Sequence, residues 1–426
     1  MKTIHRPQRA RAAVAAAAAG LLLATATACS DDTDSAGSDA ADSTAAVPSG
    51  AFAGRAASGA PVTIGLINNE DGQAISQPEN REAAQAAAQY ANADLGGIAG
   101  RPIELVVCKE QEDPASARNC ANQMVEKKVS AVVVPSTGLG SVIAPIITKS
   151  GIPYVTTLAG SQEEVTADNS YVLTAGSNTT QAMATFAKQQ GMKNVVAYSL
   201  DNPAATGSLQ QVGAPAFKAA GIDFKIITIP YGSPDATPQV SAGLDEKPDG
   251  VLILGESTVC TAVLKALHSL GSTAQVMTPQ TCAAPEVISA VGASNLDDTR
   301  IFSSADTVSD DPESVLYRQV MSKYAPDTPT QGYAVTGYQG VLGLVRATAA
   351  LTGEVTTQSI RDAITSATDV ALPAGHGIRF TCDGSAVPGL KALCGNTMIV
   401  LTMKDGKLTD PTTVSVLGDG TSVAGS

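Results

Sequence analysis

The sequence predicts an α/β protein of doubly wound type, with parallel sheets covered by helices on both faces. Three observations carry that reading. First, short, continuous, β-branched apolar runs recur, at 62–67 (VTIGLI), 103–107 (IELVV), 130–134 (SAVVV), 152–156 (IPYVT), 193–198 (KNVVAY), 223–229 (DFKIITI), 250–254 (GVLIL) and 274–278 (AQVMT). A strand that is apolar along its whole length is buried on both faces, the condition of a parallel sheet between two helix layers. Second, helical patterns separate most of these runs, at 79–94, 115–127, 141–150, 179–190, 208–220, 259–270 and 283–291, which gives the β-α-β alternation of an open doubly wound sheet. Third, the helices are punctuated as helices should be. Gly191, Gly221 and Gly271 each follow a helical run, where a left-handed residue ends the helix. Asp113-Pro114 puts a capping carboxylate before a first-turn proline. Residues 61–426 suffice for about two domains, and no repeat of 20–50 residues is present.

Composition excludes several functions. The chain has 426 residues, 44% hydrophobic and 16% charged, enough apolar surface for a core and too much for a disordered chain. Its net charge is −13, which is unsuited to coating nucleic-acid phosphates or an anionic membrane surface. The histidines are His5, His268 and His376, too few for a histidine-rich metal site. There is no G-x-S-x-G, H-E-x-x-H, P-loop or G-x-G-x-x-G motif. His268 lies inside a helical segment, and His376 sits between two glycines without an evident nucleophile. The expectation is a protein that is not an enzyme and needs no metal or cofactor.

The N-terminus reads as an export signal. Lys2, Arg6, Arg9 and Arg11 precede a seventeen-residue apolar run at 12–28, which ends Ala26-Thr27-Ala28-Cys29. A charged start, a short apolar stretch and small residues before a cleavage point describe a secretory signal peptide. The small residues before Cys29 resemble the lipobox of bacterial lipoproteins, which implies a mature chain beginning at a lipidated Cys29. Residues 29–60 are small and acidic and are expected to form the anchor and a flexible linker. Six cysteines remain, Cys108, Cys120, Cys260, Cys282, Cys382 and Cys394. An even number in an exported chain reads as disulfides, and their spacing favours pairing between neighbours.

Several segments resemble one family. Residues 84–100 (AQAAAQYANADLGGIAG), then Glu112-Asp113-Pro114-Ala115, Val132-Val133-Val134-Pro135-Ser136-Thr137, Ala144-Pro145 and Ser150-Gly151-Ile152-Pro153 follow one another as in the type I periplasmic binding proteins of the leucine/isoleucine/valine-binding group. The resemblance runs from about residue 61 to 408 and is most specific at 84–166. It implies two α/β lobes joined by a three-crossover hinge. Lobe 1 would comprise 61–174 and 305–377, and lobe 2 would comprise 177–301 and 381–408, with a C-terminal tail at 409–426. The crossovers would fall near 174–176, 303–305 and 378–380. It also implies the substrate-binding component of an ABC importer, monomeric, held at the cell membrane only through its lipid, with a small polar solute and a permease as partners. A sensory lipoprotein of the same fold is the alternative.

The candidate site follows from strand ends. The run at 130–134 leads into Pro135-Ser136-Thr137-Gly138-Leu139-Gly140, then a helix. Glycines admit close approach, and free amides at a helix start favour an anion. The segment is either a carboxylate seat or a capped turn. The resemblance places Thr137, or Ser136, on a ligand carboxylate. It likewise places the Ala159 carbonyl and the Ser161 hydroxyl in the next loop. In the second lobe, segments 199–202, 255–258 and 278–281 face the expected cleft. Family members that bind amino acids carry an acid in the last of these, where this chain has Gln280. Glu256 is the expected substitute counter-charge, with Asp201, Glu70 and Asp71 as weaker candidates. Thr206 and Ser257 stand where tyrosines are expected. Tyr333 and Tyr338 would either wall the pocket or belong to the core.

Overall fold

The computed structural model describes residues 46–72 and 76–418, apart from the side chains at 203, 204 and 208. The signal segment, Cys29 and the start of the expected linker lie outside these residues. No helix among the described residues is long and apolar enough to cross a membrane.

The first lobe is built on β1 (Val62–Asn69), β2 (Ile103–Glu110), β3 (Ala131–Ser136), β4 (Tyr154–Leu158) and β5 (Ser170–Val172). They form a five-stranded sheet in the order β2-β1-β3-β4-β5, and every pairing is parallel. The intervening helices are α1 (Pro78–Asp94), α2 (Pro114–Glu126), α3 (Gly140–Lys149) and α4 (Gln162–Thr166). As the sequence predicts, Asp113 caps α2 by accepting from the Ser116 N–H at 2.8 Å.

The second lobe repeats the plan. Its elements are α5 (Thr179–Gln189), β6 (Asn194–Leu200), α6 (Pro203–Ser208), α7 (Ala214–Ala220), β7 (Asp223–Ile229), α8 (Thr237–Leu244), β8 (Gly250–Leu254), α9 (Ser257–Ser269), β9 (Gln275–Pro279), α10 (Pro285–Val291) and β10 (Arg300–Ser303). The sheet order β7-β6-β8-β9-β10 reproduces that of the first lobe. The chain then returns with α11 (Pro312–Tyr324), α12 (Ala334–Ala347), α13 (Thr357–Ser366), β11 (Val370–Ala371) and β12 (Arg379–Phe380). It ends with β13 (Thr397–Lys404) and β14 (Lys407–Ser415). These last two strands extend the second sheet, β13 antiparallel to β10 and β14 antiparallel to β13. The segment from 409, expected as a tail, is therefore sheet as far as Ser415. Its alternation of polar and apolar residues (KLTDPTTVS) suits an edge strand with one face to water.

The chain passes between the lobes three times, after β5, after β10 and after β12. On the return, α12 lies against α1 and β3. Glycines permit this close approach, since a Cβ on Gly337 would stand 1.8 Å from the Asn80 carbonyl oxygen and one on Gly340 would stand 2.7 Å from Val133 Cγ1. Tyr338, on the same helix, is fully buried and packs edge-on against Tyr317 with ring centroids 4.9 Å apart. It is a core residue.

The linker expected over 29–60 ends earlier than its composition suggests. Residues 51–58 are laid along α1. The Ala51 carbonyl accepts from the Tyr90 hydroxyl at 2.6 Å, and the Phe52 and Tyr90 rings meet edge-on at 5.4 Å. The N–H groups of Arg55, Ala57 and Ser58 donate to the carbonyls of Asp94, Asn92 and Gly100. One aromatic contact and a run of bonds to backbone groups suffice to order a segment that otherwise reads as coil.

All six described cysteines pair, as Cys108–Cys120, Cys260–Cys282 and Cys382–Cys394. The second pair ties the first turn of α9 to the turn after β9.

Candidate functional site

In doubly wound sheets a ligand usually sits where the strand order reverses, outside the carboxyl ends of the strands. Here those points are the β1/β3 and β6/β8 gaps. The cavity lies elsewhere, between the ends of β4, β9 and β10 and the start of α12, beside the passages between the lobes. It has a volume of about 210 Å³, below the ~300–1,000 Å³ usual for drug-sized ligands. Leu158, Phe302 and Met398 give it an apolar floor, and the polar lining includes Ser177, Thr179, Ser304 and Thr336.

Each wall has a local cause. The strand β4 ends at Leu158, and Ala159 follows with its N–H donating to Ser177 Oγ at 3.0 Å. After β9, a 3₁₀ turn carries Gln280 and Thr281, held from behind by Cys282 in its disulfide. Two direct contacts cross from this turn to the start of α12. The Gln280 Nε2 donates to the Gly332 carbonyl at 3.3 Å, and the hydroxyls of Thr281 and Tyr333 share a hydrogen bond at 3.2 Å. The Gln280 Oε1 accepts from the Ser303 hydroxyl at 2.9 Å, at the end of β10. One side-chain amide thus joins three segments. The helices α5 and α12 both begin at the cavity, at Thr179 and after Tyr333, and neither has a side-chain cap. Each brings the positive end of its helix dipole to the cavity.

The structure brings together three of the sequence-predicted site residues, Ala159, Gln280 and Tyr333, on this cavity. The other five lie outside its lining, and four of them have a local role. Ser136 ends β3 and donates to Gln77 Oε1 at 3.2 Å. Thr137 is buried, accepting from the Leu139 N–H at 3.0 Å and donating to Glu110 Oε2 at 3.5 Å. Ser161 caps α4 in a reciprocal capping box with Glu164. Asp201 is exposed after β6. Glu256 caps α9, accepting from the Thr258 N–H at 3.4 Å. Glu70 is also committed, to Arg81 and Lys109 at 2.8 Å each. Burial pushes the Glu70 carboxyl up, but those bonds outweigh it and hold it at about 2.

The helix start expected to seat a ligand carboxylate is packed by one of the protein's own. A Cβ on Gly140, the first residue of α3, would fall 1.9 Å from Glu164 Oε2. Glu164 is fully buried and accepts from the Tyr154 hydroxyl at 2.6 Å, the Gly160 N–H at 2.8 Å and the Ser161 N–H and hydroxyl at 3.0 Å each. Burial raises its carboxyl above the ordinary value despite those bonds.

Sequence reasoning placed Thr281 in a segment facing the cleft but missed Ser303, Ser304 and Thr336 as cavity residues. Ser303-Ser304 stood at an expected crossover, and that was the available signal. Thr336 lies in a helix whose register shows only in the structure.

Residues 61–407 match the family described as periplasmic binding protein, and the chain belongs to that family. No curated protein matches it. The solved structures it is similar to include the branched-chain amino acid transporter substrate-binding protein LivJ of Streptococcus pneumoniae, in complex with isoleucine. That match has 19% identity and a TM-score of 0.67, and covers 84% of this chain and 100% of the other. They also include a leucine-binding protein, LivK, of Thermotoga maritima (20% identity, TM-score 0.66, covering 83% and 99%). A fatty acid ABC transporter substrate-binding protein of Thermomonospora curvata matches at 16% identity with a TM-score of 0.67, covering 84% and 93%. These likenesses establish the type I periplasmic binding protein fold.

Proposed function

We propose that the chain is the extracytoplasmic solute-binding component of an ABC importer, anchored to the cell membrane through Cys29. It would close two lobes over one small polar solute and present the closed form to a permease. The observation that supports this most is the cavity between the lobes, lined from both and bridged by the Gln280–Gly332 and Thr281–Tyr333 contacts. The similar structures are described as transporter substrate-binding proteins, and membership of the family favours the same role here.

The test is a thermal-shift screen of residues 46–426, which keeps the docked segment before β1, against amino acids, amides, ureas and small carboxylates. A true ligand at a hundredfold excess over Kd stabilises the fold by about 2.7 kcal/mol, and Gln280→Ala should abolish the shift. If no compound raises the melting temperature, and small-angle scattering shows no compaction with any of them, the reading fails.

A further inference from the structure

We infer that the cavity takes an uncharged solute, with a carbonyl, amide or hydroxyl end on an apolar body, and rejects molecules that carry an ammonium group. This rests on the proposed solute-binding role and specifies its ligand.

No residue lining the cavity bears a formal charge. The carboxylates of the surrounding segments are committed elsewhere, including the buried Asp306, two residues after Ser304, which pairs with His376 at 2.9 Å. Glu164 is enclosed by Tyr154, Gly160 and Ser161, Glu256 caps α9, Glu70 is paired with Arg81 and Lys109, and Asp201 is exposed beyond β6. Glu110 lies beneath Thr137. An ammonium carried into this cavity would meet no counter-charge, and the penalty for an unpaired buried ion is several kcal/mol. The positive ends of α5 and α12 add to it. No lysine, arginine or histidine is in the cavity lining to balance a full anion either.

Gln280 is the residue that matters most, because its chemistry is fixed on both sides. Its NH₂ donates to the Gly332 carbonyl and its oxygen accepts from Ser303. A carboxylate at 280 would turn an oxygen toward the Gly332 carbonyl oxygen, losing the donor and adding repulsion. The position best placed to hold a counter-charge therefore holds the lobes together only as a neutral amide. What remains for a ligand is the hydroxyls of Ser177 and Ser304 as donors and the Thr336 hydroxyl, which itself donates to the Tyr333 carbonyl at 2.7 Å, as an acceptor, facing an apolar floor of Leu158, Phe302 and Met398. That combination suits a carbonyl oxygen at one end and a hydrocarbon body at the other. At about 210 Å³ the cavity is smaller than the sites of drug-sized ligands, which suits a small solute.

The test uses the full chain, extracted in detergent, and four probes sharing one branched carbon skeleton: 4-methylpentanamide (uncharged), 4-methylpentanoate (anion), 4-methylpentylamine (cation) and leucine (zwitterion). Isothermal titration at pH 7 should give the amide the tightest binding, with leucine and the amine at least tenfold weaker. Gln280→Glu should weaken the amide at least tenfold. Leucine, the amine or the carboxylate binding as tightly as the amide would overturn the inference while leaving the solute-binding role intact. Binding by none of the four would also overturn the class assigned here, and the broad screen above judges the role separately. A Gln280→Glu chain that keeps wild-type affinity for the amide would remove the part given to that side chain.

Discussion

Glu110→Gln should stabilise this protein at neutral pH. The side chain stands at the end of β2, 1% exposed, with Oε1 lacking any hydrogen-bond partner and Oε2 at 3.5 Å from the Thr137 hydroxyl. Burial, with the charge of Glu112 adding to it, pushes the carboxyl from its ordinary 4.5 to about 7, against a backbone N–H at Glu112 that pulls the other way. A folded-state value above the unfolded one means that the native chain prefers the protonated form. The associated stability is complete below pH 4.5 and is lost as the pH rises to about 7. At about 1.4 kcal/mol per pH unit, ionisation costs the folded state about 3 kcal/mol by pH 8. Glutamine has the same shape and carries no charge, so the variant should match the wild type at pH 4 and exceed it by about 3 kcal/mol at pH 8. Urea melts at half-unit intervals, with the m-value checked for constancy, would show the wild-type midpoint falling across this window and the variant's midpoint falling less. Parallel profiles for the two chains would refute the reasoning, because they would mean that Glu110 does not titrate differently on folding.

Two further outcomes follow from the packing. Glu164→Ala strands the buried Tyr154 hydroxyl and the amides of Gly160 and Ser161, so it should cost about 3–5 kcal/mol in urea unfolding; a loss under 1 kcal/mol would show that the bonds around Glu164 contribute little. Gly337→Ala drives a methyl to 1.8 Å from the Asn80 backbone oxygen, where no side chain can yield, and should cost about 3 kcal/mol or more. A melting temperature within 1 °C of the wild type would contradict that close approach.

The α/β alternation was legible because strands buried on both faces leave unbroken runs such as VVV at 132–134, and helices between them leave caps and stops. The disulfides were legible from an even cysteine count in a chain read as exported and from the spacing between neighbours. The position of the site was not. Ser161 and Glu256 were read as ligand groups, yet a hydroxyl or carboxylate that caps a helix looks the same in sequence as one that meets a solute. Ser161-x-x-Glu164 is in fact the pattern of a capping box. The cavity also depends on which loops the two lobes bring face to face, and the bond from Gln280 to Gly332 spans 52 residues that no local pattern connects. Residues 51–58 and 409–415 were misjudged for the opposite reason: a few apolar contacts and a row of backbone bonds outweigh a polar composition.

The strand β5 and the segment after β12 are hydrogen-bonded to one another, with the Val172 N–H donating to the Ala392 carbonyl and the Cys394 N–H returning to the Val172 carbonyl. Cys382–Cys394 fastens the same segment. Two of the three strips that connect the halves of the molecule are thus welded edge to edge. A movement of one strip therefore carries the other with it, and a swing of the halves about that seam leaves these bonds intact, like a door on its pin.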